Sequence, residues 1–376
     1  MNSDVLIIGG GVIGLSIARD LHQKGVAKIT IVDKGVCGTE SSWAAAGMLG
    51  PQAEAAEGGA FFDLCCSSRD LFPALADELL DETGINIELD RTGTLYLALT
   101  DEDLEVLDER LRWQKKAGLA IEHMGAEATL RLEPNVSKDL CGSLFFPNDW
   151  QVENRKLVSA LTRYAELNNI RVIENRAVKS LIVEKSRVTG AETDAGAINA
   201  DKTIVTTGAW TSLIKLGAAH MPINVEPVRG QIIAFQTHDK MFRHVVYSRR
   251  GYVVPRLDNR ILAGSTTEKV GFDKSTTADA AHDLHKMAAE IAPKLSDLTV
   301  ADHWSGLRPF VGDGLPVIGG IAGLDGLSIA TAHYRNGILL APITAKMIAE
   351  RLVGDGDDAV SEAFGAHRFC YAAVAQ

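Results

Sequence analysis

Residues 5–14 read Val-Leu-Ile-Ile-Gly-Gly-Gly-Val-Ile-Gly, an apolar run that stops at a cluster of glycines. A helical pattern follows as far as Lys24, and a second apolar run (Ile29–Val32) ends at Asp33. We therefore predict a strand, a glycine-rich turn, a helix and a second strand with a carboxylate at its tip. This order of elements is typical of a doubly wound, Rossmann-like α/β fold that binds a dinucleotide.

Each glycine of this motif has its own physical role. Gly9 permits the tight turn, Gly11 lets the backbone approach a pyrophosphate, and Gly14 lets helix and strand pack closely. The helix N-terminus presents free N–H groups and the positive end of its dipole to the phosphates. Asp33, about 20 residues further on, is placed to accept hydrogen bonds from a ribose diol. A loop that is glycine-rich by chance would explain neither the second strand nor its terminal acid.

The composition limits the class of protein and its partners. The 376 residues are 46% hydrophobic and 23% charged, as in an ordinary globular protein long enough for two domains. The net charge of −11, without a run of Lys or Arg, argues against nucleic acid and anionic membrane as partners. Residues 5–18 are too short and too rich in glycine for a signal peptide or a membrane span. The five cysteines show neither CxxC nor metal-ligand spacing, so we predict reduced thiols, no metal site and a cytoplasmic location.

Two further segments are expected beside the dinucleotide. Residues 41–49 (SSWAAAGML) predict a second helix N-terminus, capped by Ser41 or Ser42, with backbone donors near a diphosphate or a ring. The alternative for this segment is an alanine-rich, buried helical turn. Residues 203–210 (TIVTTGAW) predict a buried strand that ends where Gly208 lets the backbone approach the cofactor.

The middle of the chain has a different pattern of apolar and polar residues. Alternating apolar and polar residues predict half-buried strands at residues 94–99, 232–235, 251–255 and 260–263. Helical patterns at residues 101–116 and 277–291 separate them. Because βαβ spacing is lacking, we predict an antiparallel sheet in an α+β, substrate-binding domain inserted into the cofactor domain. The predicted cofactor domain comprises residues 1–88, 147–224 and 304–376, and the substrate domain comprises residues 89–146 and 225–303.

The C-terminal part returns to cofactor-like sequence. A strand at residues 327–330 runs into a glycine-containing turn at 332–342 and then into an amphipathic helix at 343–352. We expect this helix to direct a third N-terminus at the cofactor, where its dipole stabilises developing negative charge. The last stretch, residues 355–376, contains no motif that we can interpret.

The combined motifs VLIIGGGVIG, IVD, SSWAAAGML, RGYVVPR, GLRPFVGDGLPVIG and HYRNGILLAP make the sequence similar to the bacterial glycine oxidase family, flavoenzymes related to D-amino-acid and sarcosine oxidases. The resemblance runs from Ser3 to about Leu352. It implies non-covalent FAD and oxidation of glycine, small amines or D-amino acids by O2. The products would be an imine, then glyoxylate or a 2-oxo acid, ammonia and H2O2. It also implies a link to thiamine biosynthesis and a homotetramer.

The resemblance, together with the glycine motifs, assigns the binding residues by position. Arg308 and Tyr252 would bind the substrate, with Arg335 nearby and Gly50 and Ala53 at the pocket entrance. The residues expected to contact FAD are Gly9, Gly11, Val12, Ile13, Gly14, Asp33, Lys34, Ser41, Ser42, Ala46, Gly47, Met48, Val178, Gly208, His333, Tyr334, Arg335, Asn336, Gly337, Ile338 and Leu339.

Physical chemistry supports the substrate residues. A guanidinium fork fixes a carboxylate with two parallel charge-assisted hydrogen bonds, and a phenolic hydroxyl can add a third. The structural alternatives are a surface salt bridge for Arg308 and a half-buried strand position for Tyr252. For Arg335 two roles stay open: contact with the substrate, or an ion pair with a nearby acid while its backbone serves the cofactor. We assign no general base, because a histidine such as His333 in a glycine-rich turn is more often structural.

Three alternatives to glycine oxidation stay open on sequence. A sarcosine-type oxidase is disfavoured because residues 308–319 contain no cysteine for a covalent flavin. A D-amino-acid oxidase or dehydrogenase differs by small changes in the pocket, and the electron acceptor is not readable from the sequence. Thr266 and Thr267 replace a pair that is often apolar in this family, and Arg250 occupies a variable position. A non-catalytic flavin- or NAD-binding protein is the alternative from another class.

Overall fold

The computed structural model describes residues 2–354 and 362–369. Met1, residues 355–361 and residues 370–376 lie outside the described residues, and with them part of the predicted third segment of the cofactor domain and Cys370. In the described part of the chain the helices are α1 (Val12–Gln23), α2 (Ser41–Ala44), α3 (Pro51–Glu54), α4 (Ala60–Asp70), α5 (Phe72–Thr83), α6 (Asp101–Lys116), α7 (Ala126–Leu132), α8 (Asn154–Leu167), α9 (Ala278–Ile291) and α10 (Ala341–Val353). Short 3₁₀ helices span Gly208–Leu213, Pro293–Asp297 and Ala366–Arg368.

The strands form two large sheets and a two-stranded ribbon. In chain order, the described strands are β1 (Asn2–Ile8), β2 (Ile29–Val32), β3 (Met48–Leu49), β4 (Thr94–Ala98), β5 (Glu122–Gly125), β6 (Gly142–Phe146), β7 (Trp150–Gln151), β8 (Arg171–Ile173), β9 (Val178–Glu184), β10 (Arg187–Thr193), β11 (Gly196–Val205), β12 (Lys215–Leu216), β13 (Ala219–His220), β14 (Glu226–Gln236), β15 (Val245–Ser248), β16 (Gly251–Pro255), β17 (Arg260–Gly264), β18 (Val300–Phe310), β19 (Val317–Ile321) and β20 (Leu324–Thr331).

The first sheet has a parallel core in the order β20-β11-β1-β2-β8. Its central register pairs Ile7 with Ile204 on one side and with Ile31 on the other. The central strands β1 and β2 are largely apolar because both faces of the sheet are covered there. Ile7 and Ile31 pack on the helical side, whereas Leu6 and Ile8 share an apolar cluster with Leu181 and Val188 of the β9–β10 hairpin. The antiparallel hairpin of β9 and β10 joins one edge. The predicted order of strand, glycine turn, helix and strand is therefore confirmed.

Helix α1 is the main support of this sheet. It packs against α8 and α10, and its buried side chains Leu15 and Leu21 share one apolar cluster with Leu161 and Ile348 from those helices. Burial of each such side chain contributes about 1.5–3 kcal/mol. The N-terminal end of α1 is thereby fixed relative to the end of β1, which makes it a rigid platform for a ligand.

The second sheet has the order β18-β14-β17-β16-β15-β4-β6-β5. Its neighbouring strands are antiparallel, as predicted, except that β15 pairs with β4 in parallel. Parallel pairing is possible here because β4 and β15 lie far apart in the chain and no hairpin joins them. Helix α9 covers one face, where Leu284 and Met287 share an apolar cluster with Phe235 and Val253.

The strands of the second sheet come from residues 94–146 and 226–310, which lie within the segments predicted for the inserted domain except for residues 304–310. β18 crosses the predicted boundary at residue 304 and pairs with β14 along its length, from Val300 opposite Phe235 to Phe310 opposite Glu226. The division into two domains at the stated residues stays a prediction.

Among the described residues, Cys37, Cys65, Cys66 and Cys141 are free thiols. Burial raises the pKa of Cys66 to about 11 and that of Cys37 to about 12, so both thiols are protonated at neutral pH.

Within the described parts of the chain, every helix is too short or too polar to cross a lipid bilayer.

Candidate active site

Most of the predicted site residues line a single cleft. It extends from the end of β1 and the start of α1 to side chains of the second sheet. The predicted residues that line it are Gly9, Gly11, Val12, Ile13, Asp33, Lys34, Ser41, Ser42, Ala46, Gly47, Met48, Gly50, Val178, Gly208, Tyr252, Arg308, His333, Tyr334, Arg335, Asn336, Gly337 and Ile338.

Three predicted residues lie behind the wall of the cleft instead. A Cβ atom added to Gly14 would lie 2.0 Å from the carbonyl oxygen of Gly9, so this glycine serves close packing, as its place in the motif predicts. Ala53 is 2% exposed, and its N–H donates to Asp149. Leu339 is equally buried, and its carbonyl accepts a hydrogen bond from Ser68. These residues shape the wall from within.

The glycine turn fits a diphosphate. Gly9 adopts a φ of 111°, and a Cβ atom there would lie 2.6 Å from the Thr206 carbonyl oxygen. Thr206 directly follows the neighbouring strand β11, and its hydroxyl donates to the Gly9 carbonyl at 2.7 Å, which fixes the turn. The first turn of α1 is apolar, and Gly11, as its N-cap, leaves room for an anion close to the backbone.

Ser41 and Ser42 do not cap α2, so that prediction was wrong. Helix α2 begins after Glu40; the Ser41 hydroxyl donates to the Leu307 carbonyl at 2.5 Å, and the Ser42 hydroxyl accepts the N–H of Val12 at 3.0 Å. Ser42 thus satisfies a backbone donor at the start of α1, a different helix 30 residues away. The contact depends on tertiary packing, which a local capping pattern does not encode.

The ribose end of the cleft is built around Asp33. One carboxylate oxygen accepts the N–H of Gly10 at 2.7 Å and the other that of Gly35 at 2.8 Å. Each oxygen keeps a second lone pair for a hydroxyl group. The Lys34 ammonium lies 3.5 Å from the ring centroid of Trp210, another lining residue. This end therefore combines hydrogen-bond acceptors with a flat aromatic surface.

Arg256 supports the wall near Gly47 and was not predicted. Its buried guanidinium donates to the carbonyls of Ala46 and Val152, both at 2.8 Å, and to the side chains of Gln151 and Asn154. Burial lowers the pKa of Arg256 to about 10, which leaves it charged at neutral pH. The available signal was its position at the end of the RGYVVPR motif, but its partners are 102–210 residues away.

Arg308 lies in β18 with its guanidinium stacked on Gly230, where an added Cβ atom would be 2.2 Å from Nη2. Nη1 donates to the Thr266 carbonyl at 2.9 Å and Nη2 to the Ser265 hydroxyl at 2.6 Å. Among the described residues, no carboxylate forms an ion pair with this side chain, so the surface salt bridge is excluded. Burial lowers the pKa of Arg308 from its ordinary value of 12.5. The cleft therefore contains a cation that can receive a carboxylate.

Tyr252 supplies a hydroxyl beside this cation. The residue is 7% exposed, and its oxygen would lie 2.6 Å from a Cβ atom added to Gly264, so only glycine fits on the neighbouring strand. Burial raises the pKa of Tyr252, while the charge of Arg308 opposes the shift. The phenol is therefore protonated at neutral pH and can donate a hydrogen bond into the cleft.

Arg335 forms an ion pair with Glu54, one of the two roles left open by the sequence. Nη2 lies 3.3 Å from Oε1, and the same oxygen accepts the hydroxyl of Tyr247 at 3.0 Å. The negative charge of Glu54 raises the pKa of Arg335. Glu54 lines the cleft but was not predicted, because α3 is only four residues long and Arg335 is 281 residues away.

Helix α3, which carries Glu54, is held by hydrogen bonds to its two central residues. Asp149 accepts the N–H groups of Gln52 at 3.2 Å and of Ala53 at 2.7 Å, and Arg110 donates to both of their carbonyls. Burial raises the pKa of Asp149 to about 7, although the two N–H groups oppose the shift. These hydrogen bonds fix Gln52 and Ala53, and with them the position of Glu54 at the cleft.

His333 has the geometry of a structural residue. Its Nε2 atom lies 3.0 Å from the Thr344 hydroxyl, and the side chain is buried. Burial lowers the pKa of His333 to about 3, so the imidazole is neutral across the physiological range. Helix α10 begins at Ala341, after the last lining residue Ile338, and the predicted action of its dipole on the cofactor stays a prediction.

The cleft has a dinucleotide-type glycine turn at one end and Tyr252 beside Arg308 at the other, and Arg308 has no carboxylate partner among the described residues. This arrangement is that of a nucleotide-binding protein with room for a small carboxylate. The sequence profile of the family described as FAD dependent oxidoreductase matches residues 4–351. The chain belongs to that family, and its cofactor is FAD. The glycine turn, the Asp33 carboxylate and the start of α1 fit the diphosphate and ribose of this cofactor.

Comparisons with individual proteins agree with this assignment. The chain is 34% identical to a glycine oxidase of Pseudomonas aeruginosa over 356 residues, which cover 94% of this chain and 96% of the relative. A solved glycine oxidase from Geobacillus kaustophilus matches with a TM-score of 0.88 and 33% identity over 95% of each chain. A bifunctional ThiO/ThiG protein of Trichormus variabilis is 33% identical over 98% of this chain, which corresponds to 55% of that protein. The resemblance stated from the motifs is confirmed.

Proposed function

We propose that this FAD-dependent oxidoreductase oxidises glycine, and more slowly other small amines and D-amino acids, with O2 as the electron acceptor. The imine product is hydrolysed to glyoxylate or a 2-oxo acid and ammonia, and O2 is reduced to H2O2. The observation that carries this proposal is the Arg308 guanidinium, which faces the cleft without a carboxylate partner among the described residues. The names of the relatives support the choice of substrate.

In this proposal the side chains bind and orient the substrate. Bound FAD would supply the acceptor for the hydride that leaves the substrate Cα. Arg308 holds the carboxylate through two charge-assisted hydrogen bonds, and the Tyr252 hydroxyl donates a further bond. These contacts would orient the substrate in the cleft with its amine neutral, as hydride transfer requires. Since His333 is already hydrogen-bonded to Thr344 and neutral, we assign no general base.

We infer that FAD is bound without a covalent link. Support comes from the wall of the cleft, whose lining residues in the described part of the chain include no cysteine. The cofactor contacts would be made by the lining residues predicted above, from the glycine turn to the segment that ends at Ile338. Denaturation should release all of the flavin into solution, and flavin that stays on the precipitated chain would contradict this point.

We also propose a cytoplasmic homotetramer that supplies thiamine biosynthesis. The free thiols support a reducing compartment. The link to thiamine rests on the name of the ThiO/ThiG relative, and the tetramer on resemblance alone. Analytical ultracentrifugation tests the tetramer. Deletion of the gene tests the pathway: we expect the deletion strain to require thiamine for growth, and added thiazole to restore growth.

The first experiment is anaerobic mixing of the purified holoenzyme with glycine, sarcosine, D-alanine and D-proline, followed by loss of the absorbance of oxidised flavin. Rapid bleaching with glycine, and formation of peroxide when air is admitted, would support the proposal. Bleaching only with the bulkier D-amino acids would move the enzyme to the D-amino-acid oxidase group. Bleaching that air does not reverse would indicate a dehydrogenase, and the absence of bleaching with all four would favour a non-catalytic flavoprotein.

A further inference from the structure

The guanidinium of Arg308 is held by a short loop that follows β17. Nη2 donates to the Ser265 hydroxyl at 2.6 Å, and Nη1 donates to the Thr266 carbonyl at 2.9 Å. These two bonds use two of the five guanidinium N–H groups, and the others can serve a ligand. The place of the guanidinium in the cleft therefore depends on the place of the loop.

Thr266 is fixed through its side chain. Its hydroxyl accepts the backbone N–H of Gln231 at 2.9 Å and donates to Oε1 of Glu268 at 2.5 Å. The fully buried Gln231 amide also donates to Oε1 of Glu268, at 2.9 Å. An apolar residue at position 266 could make neither of the two hydroxyl bonds, so the threonine noted in the sequence has a specific task in this chain.

Glu268 joins the loop to β14. Its second oxygen, Oε2, accepts from Nη2 of Arg229 at 2.5 Å and from Nε at 3.2 Å. The backbones of the two residues also exchange two N–H···O bonds, both 2.9 Å long. The Arg229 side chain is 5% exposed and that of Glu268 26%. Burial raises the pKa of Glu268, but the hydrogen bonds from Arg229, Thr266 and Gln231 outweigh it and lower the pKa overall.

We propose that Glu268, acting through the Thr266 hydroxyl, is a positioning residue that sets the place of the Arg308 guanidinium and thereby the affinity for the substrate carboxylate. This inference rests on the proposed function, in which Arg308 binds that carboxylate. Two parallel hydrogen bonds between a guanidinium and a carboxylate require close alignment of both groups. Without Glu268 or the Thr266 hydroxyl the loop can shift, and with it the guanidinium.

The chain offers matched variants for a test. Thr266→Val removes the hydroxyl and keeps the shape of the side chain, whereas Thr266→Ser keeps the hydroxyl. Glu268→Gln removes the negative charge. Asp273 pairs with the same arginine, Arg229, at 2.8 Å and also bonds Ser275, but it is half-exposed and makes its contacts away from Thr266. Asp273→Asn therefore weakens an ion pair of Arg229 and leaves the loop bound.

The experiment measures the binding of acetate to each holoenzyme. Acetate has the carboxylate of the substrate but no amino group, so it is not oxidised, and its binding is followed by the change in the flavin absorbance spectrum. We expect E268Q and T266V to raise the Kd for acetate and the KM for glycine by about tenfold, the equivalent of one buried hydrogen bond to a charged group. The kcat at saturating glycine, the flavin content and the Tm should stay near those of wild type. T266S and D273N should bind acetate as wild type does.

The outcomes separate this inference from the proposed function. Loss of acetate binding in R308A, together with wild-type binding in E268Q and T266V, overturns the positioning role and leaves the proposed function intact. Equal weakening in T266S and T266V also overturns it, because the hydroxyl would then be irrelevant. Wild-type acetate binding in R308A overturns the role of Arg308 and the inference with it. If E268Q does not fold, the comparison of T266V with T266S decides.

Discussion

Arg335 and Glu54 face each other across the cleft, with Nη2 3.3 Å from Oε1, although 281 residues separate them in the chain. The two arginines of the cleft therefore differ in electrostatic state. Arg335 is neutralised by an acid, whereas Arg308 has only neutral acceptors, Ser265 and Thr266, as hydrogen-bond partners among the described residues. An incoming carboxylate gains more from an unpaired cation than from one that already has an anion. This difference supports our proposal that Arg308 binds the substrate carboxylate.

Neutralising Glu54 should strengthen binding of anions in the cleft. Glu54→Gln keeps the size of the side chain but removes a negative charge that repels the substrate carboxylate and occupies Arg335. We expect the Kd for acetate to fall about three- to tenfold at low ionic strength, and less at high salt because of screening. The measurement is a titration of the holoenzyme at two salt concentrations. Glu57→Gln, an exposed acid three residues further on, is the control, and an equal change in both variants would contradict the prediction.

Removal of Arg308 should weaken substrate binding and leave the cofactor bound. In Arg308→Ala we expect the KM for glycine to rise about 100-fold or more, because two charge-assisted hydrogen bonds are lost. Arg308→Lys should lose less, since it keeps the charge but not the fork. Steady-state kinetics and the flavin-to-protein ratio provide the measurement. Arg163→Ala, which changes an exposed arginine on α8, should behave as wild type. Unchanged glycine kinetics in the alanine variant would refute the assignment.

Asp149 should make the stability depend on pH. Burial raises its pKa from an ordinary value of 3.8 to about 7, so between about pH 4 and 7 the folded protein holds a proton that the unfolded chain has released. The free energy of unfolding therefore falls as the pH rises through this window and levels off above it. Asp149→Asn does not titrate and should show a smaller fall.

Urea denaturation between pH 4.5 and 8 tests this effect. The control is Asp139→Asn, which neutralises an exposed carboxylate and should keep the wild-type dependence on pH. The prediction is wrong if Asp149→Asn shows the same dependence as wild type.

Gly14→Ala should prevent FAD binding. The new Cβ atom would lie 2.0 Å from the Gly9 carbonyl oxygen and 2.8 Å from the Thr206 hydroxyl, so α1 must move away from the glycine turn. We expect purified protein with little flavin and a Tm that is lower by several degrees, because overpacking typically costs about 1–3 kcal/mol. Gly312→Ala adds the same methyl group in open space and should retain the cofactor. A yellow Gly14→Ala protein of wild-type stability would show that the helix can adjust.

Local sequence patterns correctly predicted much of the secondary structure. The helix predicted at 101–116 is α6, and the pattern at 277–291 corresponds to α9 with Thr277 as its N-cap. Such elements are readable because hydrophobic periodicity and capping act within a few residues. The parallel pairing of β15 with β4 was not predicted, since it joins segments about 150 residues apart. Ser42 shows the same limit within the site: its partner is the N–H of Val12 in another helix, not the start of its own.

The sequence by itself determined the dinucleotide fold, the place of Asp33 at the end of β2 and, through the motifs, the family and its cofactor. These features depend on glycines and acids at fixed short spacings, where sterics and helix dipoles act locally. Only the tertiary structure decided that Glu54 neutralises Arg335, that Arg256 supports the Ala46 carbonyl, and that Thr266 is hydrogen-bonded to both Arg308 and Glu268. Each of these contacts depends on the burial and charge of partners that the packing of the two sheets brings together. Such contacts leave no periodic pattern in the sequence.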